Sequence, residues 1–371
     1  MDVVVAGLGV AGAAATWELA RRGARVVGVD AYEPLHTLGS SHGVTRIIRE
    51  AYYEHPLYVP LVHRAWELWG VLERESGLTL LERTGGLNMG PPGSEFLDGV
   101  LRSVHEHDVE HECLDAAEIH ARFPALAPEL DFAGIFEPRA SVLFAERCVG
   151  ALHDRARALG ATLHFGESLV EWNSNRAGVR IETTHRTLDA DRLILALGAW
   201  LPRFVPFPLT VERQCVFWFE PLRQRELFAP GHLPITLWEH APGRLAYAFP
   251  DLGDGVKASL HHQGVPCDPD FVNREAGADD EARVRAVLCR CMPDANGRRV
   301  AATVCTYTNT PDFDFLVDAH PADARVLVVS ACSGHGFKFA PVVGEIVADM
   351  CADRTPRFDV TPFAAARLRG V

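Results

Sequence analysis

Lysine is rare in this chain, and both lysines stand beside residues that could do chemistry. Of 36 lysine and arginine residues, only Lys257, in GVKASLHH, and Lys338, in SGHGFKF, are lysine. Strand alternation predicts that Lys257, Ser259 and His261 share one face, and an inward-facing lysine is unfavourable unless it is paired or functional. Lys338 lies near the expected start of a helix, where a cation is favourable only beside an anion. The two lysines therefore suggest a site for an anionic ligand, with residual surface charge as the alternative.

Histidine and arginine recur in the segment SHGVTRIIRE. His42, Arg46 and Arg49 are spaced i, i+4 and i+7, so they share one face if the segment is a helix. Two neighbouring arginines suit an anionic substrate or an anionic cofactor ring. A solvated helix face explains the spacing alone equally well.

The elements that position these residues begin with a dinucleotide-binding fingerprint. DVVVA predicts a buried parallel strand, AAATWELARRG a helix, and ARVVGVDA a second strand. Between the first strand and the helix, Gly7 allows a tight turn, Gly9 lets the backbone approach a pyrophosphate, and Gly12 allows close helix packing. Asp30 ends the second strand, where it would accept from a ribose hydroxyl and disfavour NADP. The fingerprint leaves NAD and FAD open.

Later segments extend this domain and predict a second one. The last unit, ARVLVVSACSGHGFKFAPVVGEIVADMCAD, repeats strand, glycine turn and helix, whereas most of the chain after residue 206 is strand-like. We predict a Rossmann-like α/β domain assembled from residues 1–85, 145–205 and 318–371. An inserted, sheet-rich α+β substrate domain would comprise residues 86–144 and 206–317.

Composition restricts the class of protein. The net charge of −13 argues against nucleic-acid or anionic-membrane binding, and no apolar run is long enough to span a bilayer. No signal peptide is readable before the first strand. The nine cysteines are irregularly spaced and form no C-x-x-C, which indicates reduced thiols and no zinc site. We expect a cytoplasmic protein without a metal, in which Cys305 by itself predicts only a small buried hydrophobe.

Several motifs together resemble the monomeric sarcosine oxidase and N-methyltryptophan oxidase family. In chain order they are VVVAGLGVAGAAATWELARRG, GSSHGVTRIIREAY, ALGAW, YAFP, GVKASLHH, CTYTNTPDFDFLVD and SGHGFKFAPVVGEI, and FDVTPFAAARL resembles the family's tail. The resemblance implies a glutathione-reductase-like FAD-binding fold and a monomeric flavoprotein oxidase. Such an enzyme oxidises the C–N bond of a secondary amino acid and passes the electrons to O2. The products are an imine, which hydrolyses, and hydrogen peroxide.

The resemblance also implies roles for individual residues. Cys305 would hold FAD covalently through the flavin 8α-methyl group, and Arg46, with His42 nearby, would lie next to the flavin. Arg49 and Lys338 would bind the substrate carboxylate, and Lys257 would activate oxygen. The remaining matches are Tyr247, His261 and Tyr307 at the substrate, Thr308 after Tyr307 and the flavinylated cysteine, and Val170, Gly334, Gly336 and Lys338 at the cofactor.

Three positions depart from the family pattern. The family's SHHGDTR is SSHGVTR here, so Ser41 replaces a histidine and Val44 an aspartate, which implies slower or differently tuned flavin attachment. Trp238 is expected near the substrate pocket, in a segment that does not align cleanly. The alternatives are a cyclic imino acid oxidase, a flavin dehydrogenase with another electron acceptor, an NAD-dependent reductase and a non-catalytic flavin-binding module.

Overall fold

This computed structural model describes residues 1–368. The strands are β1 (Asp2–Ala6), β2 (Arg25–Asp30), β3 (Thr45–Ile48), β4 (Leu81–Arg83), β5 (Gly86–Gly90), β6 (Glu112–Asp115), β7 (Ala133–Glu137), β8 (Ser141–Phe144), β9 (Thr162–Phe165), β10 (Leu169–Ser174), β11 (Val179–Thr183), β12 (Thr187–Ala190), β13 (Arg192–Leu195), β14 (Thr210–Phe219), β15 (Ile235–Ala241), β16 (Arg244–Phe249), β17 (Val256–His261), β18 (Val265–Pro266), β19 (Arg299–Asn309), β20 (Leu316–His320) and β21 (Asp323–Ser330). The α-helices are α1 (Val10–Arg21), α2 (Tyr58–Ser76), α3 (Glu95–Glu106), α4 (Ala116–Arg122), α5 (Ala145–Ala158), α6 (Ala278–Cys291) and α7 (Ala340–Cys351).

A six-stranded sheet carries the nucleotide-binding fingerprint. Its strand order is β20-β21-β13-β1-β2-β9, and all neighbours are parallel except β20 and β21. Helix α1 packs against α5 and α7, and β1 is buried apart from its first residue, as expected for a parallel strand covered on both faces. The predicted β1–α1–β2 unit and the α/β fold are confirmed.

A nine-stranded sheet is the other large sheet of the fold. Its strands follow the order β18-β14-β17-β16-β15-β5-β7-β6, and β19 pairs with β14. These strands come from residues 86–137 and 210–309, while β20, which begins at Leu316, belongs to the six-stranded sheet. The strands of the two large sheets therefore fall close to the chain segments predicted for the two domains. The domain boundaries themselves stay a prediction.

The segment SHGVTRIIRE is not the helix that its spacing allowed. Thr45–Ile48 form β3, which pairs with β8 in a three-stranded sheet, and the two residues before β3 have positive φ, +96° at Gly43 and +67° at Val44. Left-handed backbone ends a right-handed helix, and β-branched threonine and isoleucine favour a strand. The helical interpretation was wrong for this reason.

Two glycines of the fingerprint are required by close approaches. Gly7 has φ +92°, and a Cβ atom there would lie 2.3 Å from the Ala196 carbonyl oxygen. At Gly12, a Cβ atom would lie 1.8 Å from the Gly7 carbonyl oxygen. Larger residues would push α1 away from β1 and distort the turn, which is the packing role predicted for Gly12.

Candidate active site

One cavity runs from the glycine turn after β1 to the nine-stranded sheet. Most residues predicted for the site line it, although they come from distant parts of the chain. They are Gly7, Gly9, Asp30, His42, Arg46, Arg49, Tyr247, Lys257, His261, Cys305, Tyr307, Gly334, Gly336 and Lys338. The fold therefore brings both lysines, both arginines and the candidate attachment cysteine into one space.

Besides Trp238, described below, three predicted residues lie outside the cavity lining. Gly12 packs beneath the turn, as described above. Val170 lies on β10, in a separate three-stranded sheet, with 55% of its surface exposed, and the structure does not bring it to the other candidates. Thr308 is buried on β19, where alternation turns it away from Cys305 and Tyr307.

The nucleotide end of the cavity fits a dinucleotide. Asp30 accepts hydrogen bonds from the backbone N–H groups of Leu8, at 2.7 Å, and Tyr32, at 3.0 Å, which fixes the carboxylate beside the glycine turn. The N-terminus of α1 faces the same turn, and such a helix end favours phosphate. Also in the cavity lining, the buried Nε2 atom of His42 has no hydrogen-bond partner within residues 1–368. Burial lowers the pKa of His42 to about 4, so the ring is neutral.

The ammonium group of Lys257 is surrounded by oxygen atoms and aromatic rings. Its Nζ atom donates to the carbonyl oxygen of Gly43 at 2.8 Å, and to the carbonyl and hydroxyl oxygens of Thr45 at 2.8 and 3.0 Å. It also lies 4.6 Å from the ring centroid of Phe249. Burial, and secondly the charge of Arg46, lower the pKa of Lys257 well below its usual range, whereas the three oxygens stabilise the ammonium form.

Lys338 begins a directed chain of buried hydrogen bonds. Its Nζ atom donates to the His335 carbonyl at 2.7 Å and to the Tyr52 hydroxyl at 3.2 Å. The Tyr52 hydroxyl lies 2.7 Å from His335 Nδ1, and His335 Nε2 lies 3.1 Å from the Phe313 carbonyl. Because a carbonyl can only accept, Nε2 carries the proton and Nδ1 accepts from Tyr52. Two of the three Lys338 donors are thus used, and burial lowers the pKa of Lys338 to about 7.

Arg49 also packs against the ring of Tyr52. Its Cζ atom is 4.4 Å from the ring centroid of Tyr52, and Lys338 Nζ is 5.0 Å from that centroid. Arg49 donates to the Ala51 carbonyl and forms an ion pair of 3.0 Å with Glu54. Burial raises the pKa of Glu54, but the charge of Arg49, together with that of Lys338 and further polar contacts, lowers it below its usual range. Two cations and one carboxylate leave a net positive charge at this end of the cavity.

Arg46, on β3, and Cys305, on β19, both line the cavity. Arg46 donates to the carbonyl oxygens of Thr45, at 2.7 Å, and Ser40, at 2.8 Å. Burial raises the pKa of the Cys305 thiol, and the charges of Arg46 and Lys257 oppose that effect. The thiol is therefore protonated in this environment, although two cations favour its thiolate.

The substrate side of the cavity is aromatic. His261 Nδ1 lies 3.4 Å from the Tyr307 hydroxyl, and burial lowers the pKa of His261 well below its usual range, so the ring is neutral. Burial raises the pKa of Tyr247 to about 12. Trp238, expected near this pocket, packs instead in the apolar core behind the sheet, because alternation on β15 places Leu237 in the cavity lining.

Three residues of the site were not singled out from the sequence. Tyr52 and Glu54 follow Arg49 in a segment without regular secondary structure, and His335 lies within SGHGFKF. Ionisable and aromatic residues directly after a candidate arginine, in AYYEHP, were the available signal.

Within the described chain, no group of three or more histidine, cysteine, aspartate or glutamate side chains could hold a metal ion. No helix of residues 1–368 is long and apolar enough to cross a bilayer.

The fold and the cavity define an FAD-binding oxidoreductase. The family model described as FAD dependent oxidoreductase matches residues 2–350. Monomeric sarcosine oxidase of Streptomyces avermitilis is 40% identical over 99% of this chain and 97% of that protein. N-methyl-L-tryptophan oxidase of Yersinia pestis is 33% identical over 99% of each chain. This chain therefore belongs to the FAD dependent oxidoreductase family, in the group that contains the monomeric sarcosine oxidases and N-methyl-L-tryptophan oxidases.

A solved structure supports the fold separately. NikD, described as an unusual amino acid oxidase essential for nikkomycin biosynthesis, matches 98% of this chain and 96% of its own with a TM-score of 0.84 at 23% identity. At that identity the likeness shows the fold alone. The predicted Rossmann-like FAD-binding fold with a sheet-rich second part is confirmed.

Proposed function

We propose that this protein is an FAD-dependent oxidase of secondary α-amino acids. Its substrate would be sarcosine or another N-alkyl amino acid, and its products an imine, which hydrolyses, and hydrogen peroxide. The observation that carries the proposal is the placement of Arg49 and Lys338 around Tyr52, in the cavity that begins at the glycine turn. The named activities of the relatives in the same family support it.

The two cations would bind the substrate carboxylate. Lys338 keeps one N–H donor beyond its two partners within residues 1–368, and a charge-assisted hydrogen bond from a buried ammonium is strong. Arg49 is held by Ala51 and Glu54, so its plane is fixed before a ligand arrives. A carboxylate held at two points also orients the neighbouring carbon, which is the main contribution of a binding clamp to rate.

The neutral ring of His261 and the hydroxyl groups of Tyr247 and Tyr307 would surround the rest of the substrate. None of the three carries a charge near neutral pH, so they favour the neutral form of the substrate amine, which is the form that can be oxidised. FAD supplies the two-electron oxidation when it is bound.

Lys257 would serve the reaction with O2. The first electron transfer to O2 creates an anion, and a preorganised cation in a dry site stabilises that charge as it forms. Lys257 is 97% buried and fixed by Gly43 and Thr45, and an ammonium is more compact than a guanidinium. This feature favours an oxidase over a dehydrogenase with another acceptor.

Cys305 would carry the flavin covalently. The cysteine lines the cavity together with Arg46 and Lys257, whose charges favour the thiolate needed for attachment. All nine cysteines are free thiols, which supports the proposed cytoplasmic location. A relative named monomeric sarcosine oxidase supports the proposal that the chain acts as a monomer.

A peroxide-coupled screen of N-methyl and cyclic amino acids tests the function. Purified protein should be yellow and should release peroxide with sarcosine or a larger N-methyl amino acid. Bleaching of the flavin by a substrate under anaerobic conditions, with no peroxide in air, would instead identify a dehydrogenase. Peroxide only with cyclic amino acids would identify an imino acid oxidase. A colourless protein that binds NAD would overturn the proposal.

A further inference from the structure

Glu137 is a fully buried carboxylate to which the proposed function assigns no role. It ends β7, and its side chain is completely shielded from solvent. The backbone N–H of Glu50 donates to its two oxygens at 2.9 and 3.0 Å, and that of Ala51 donates to Oε2 at 2.8 Å. No side-chain cation of residues 1–368 is hydrogen-bonded to it. A buried charge without a paired cation is unfavourable, so its retention calls for a reason.

The three hydrogen bonds hold the backbone next to Arg49. Residues 49–52 lie after β3 and belong to no helix or strand, so their buried N–H groups require acceptors from elsewhere. Ala51 connects the two sides: its N–H donates to Glu137, and its carbonyl accepts from Arg49. Glu137 therefore fixes the position of Ala51, whose carbonyl oxygen accepts the hydrogen bond from the Arg49 guanidinium.

We propose that Glu137 is a positioning residue for substrate binding, whose ionised carboxylate fixes the Glu50–Ala51 backbone and thereby aims Arg49 at the substrate carboxylate. The inference rests on the proposed function, since it requires Arg49 to bind a carboxylate. Glu137 does not line the cavity, so it acts through Arg49 and contacts neither substrate nor cofactor.

The surroundings of Glu137 make its effect depend on pH. Burial raises the pKa of Glu137, the hydrogen bonds from the Ala51 and Glu50 N–H groups lower it, and the charges of Glu50 and Arg49 act in opposite directions, so that the pKa is raised to about 7. Glu50 is itself paired with Arg139, at 2.5 Å, and faces His63 at 3.5 Å. The facing strand β5 has no ionisable residue, and β6, α3 and α4 carry theirs on the exposed surface. Protonation would turn one Glu137 oxygen into a donor opposite an N–H group.

Lys338 titrates in the same pH range as Glu137, but it loses its charge in the opposite direction of pH change. Its pKa of about 7 means that rising pH removes its charge, whereas falling pH removes the charge of Glu137. Carboxylate affinity should therefore be greatest near pH 7 and weaken on both sides. Glu137 controls the acid limb and Lys338 the alkaline limb.

The experiment measures binding of methoxyacetate, the oxygen analogue of sarcosine, which has no amine to oxidise. Its Kd is determined for the flavin-loaded protein from the change in flavin absorbance between pH 6 and pH 9. The variants are Glu137→Gln, Glu137→Asp and, as a matched control, Glu345→Gln. Glu345 is a buried glutamate on α7 that pairs with Arg64 at 2.6 Å and makes no contact with Arg49.

In Glu137→Gln, Kd at pH 8 should rise about tenfold, equivalent to about 1.4 kcal/mol, and the acid limb should disappear while the alkaline limb stays. The limiting rate of flavin reduction by substrate should change far less than Kd. Glu345→Gln should keep the wild-type pH profile. Glu137→Asp retains an ionisable carboxylate, so it should weaken binding but keep the acid limb. If Glu137→Gln does not fold, wild-type affinity in Glu137→Asp would contradict the positioning role.

Wild-type affinity and an intact acid limb in Glu137→Gln would overturn the inference while leaving the proposed function standing. Failure of the wild-type protein to bind methoxyacetate better than the uncharged methoxyacetamide would overturn the proposed carboxylate site itself, and the inference with it.

Discussion

Lys257 donates hydrogen bonds to both oxygens of Thr45, at 2.8 Å to the carbonyl and at 3.0 Å to the hydroxyl. With the Gly43 carbonyl at 2.8 Å, all three N–H donors of the ammonium are used by the protein. Lys338 has only two such partners within residues 1–368. The two lysines thus differ in what they can offer: Lys338 can donate to a ligand, whereas Lys257 acts through its fixed charge.

Lys257→Met should slow reoxidation of the reduced enzyme by O2 by about 100-fold or more, since loss of one preorganised electrostatic group has effects of that order. Flavin reduction by substrate should change by less than tenfold, because Lys257 has no free donor for the substrate. Stopped-flow measurement of the two half-reactions checks this. Equal slowing of both would contradict a role in the oxygen reaction.

Lys338→Ala should raise the substrate Kd about 10- to 100-fold, the range for loss of a hydrogen bond to a charged group. Reoxidation by O2 should stay close to that of the wild-type protein. In the wild-type protein the affinity should fall as pH rises above about 7, because the pKa of Lys338 is lowered to about 7 and the neutral amine no longer attracts a carboxylate. An alkaline limb that persists in Lys338→Ala would assign that limb to another group.

Cys305→Ser should leave FAD extractable by acid precipitation, whereas the wild-type pellet should stay yellow. Cys332→Ser is the matched control, since Cys332 also lines the cavity and its thiol contacts the Thr308 N–H at 3.3 Å. The Cys332→Ser pellet should keep its colour. Colour lost from the Cys332→Ser pellet and kept in Cys305→Ser would move the attachment point to Cys332.

Local sequence was sufficient where one stretch of chain determines its own structure. Gly7 and Gly12 could be assigned because a strand, a turn and a helix follow one another directly. Lys257 and His261 could be placed on one face because β17 has the alternation of an ordinary strand. In these cases the position of a residue along the chain determines the face or turn that it occupies in the structure.

Sequence spacing misled where a distant partner decides the conformation. The segment around Arg46 has helical spacing, but it pairs with β8, almost one hundred residues later in the chain. The roles of Tyr52 and Glu137 depend on contacts with His335 and with the backbone after Arg49, which no local pattern encodes. Even so, the side chains of Arg46 and Arg49 both line the cavity, as their shared role in one site predicted.

The strain at Val44 gives a prediction that is independent of activity. Val44 has φ +67° and is 39% exposed, and a left-handed conformation costs a non-glycine residue about 1–2 kcal/mol. Its N–H donates to Glu146, at 3.1 Å, and this bond does not depend on the side chain. Val44→Gly removes the strain and loses little packing, while the greater freedom of glycine in the unfolded chain offsets part of the gain by about 0.5–1 kcal/mol.

Val44→Gly should therefore raise the thermal unfolding midpoint by about 1–2 °C, which corresponds to roughly 0.5–1 kcal/mol in a chain of this size. Val170→Gly is the matched control, because Val170 is an exposed valine within β10. There glycine only adds freedom to the unfolded chain and removes side-chain packing, so the midpoint should fall by a similar amount. Differential scanning calorimetry of both variants with FAD bound gives the comparison. A decrease in both would show that the segment before β3 tolerates the left-handed valine without strain, since relief of strain is expected only at Val44.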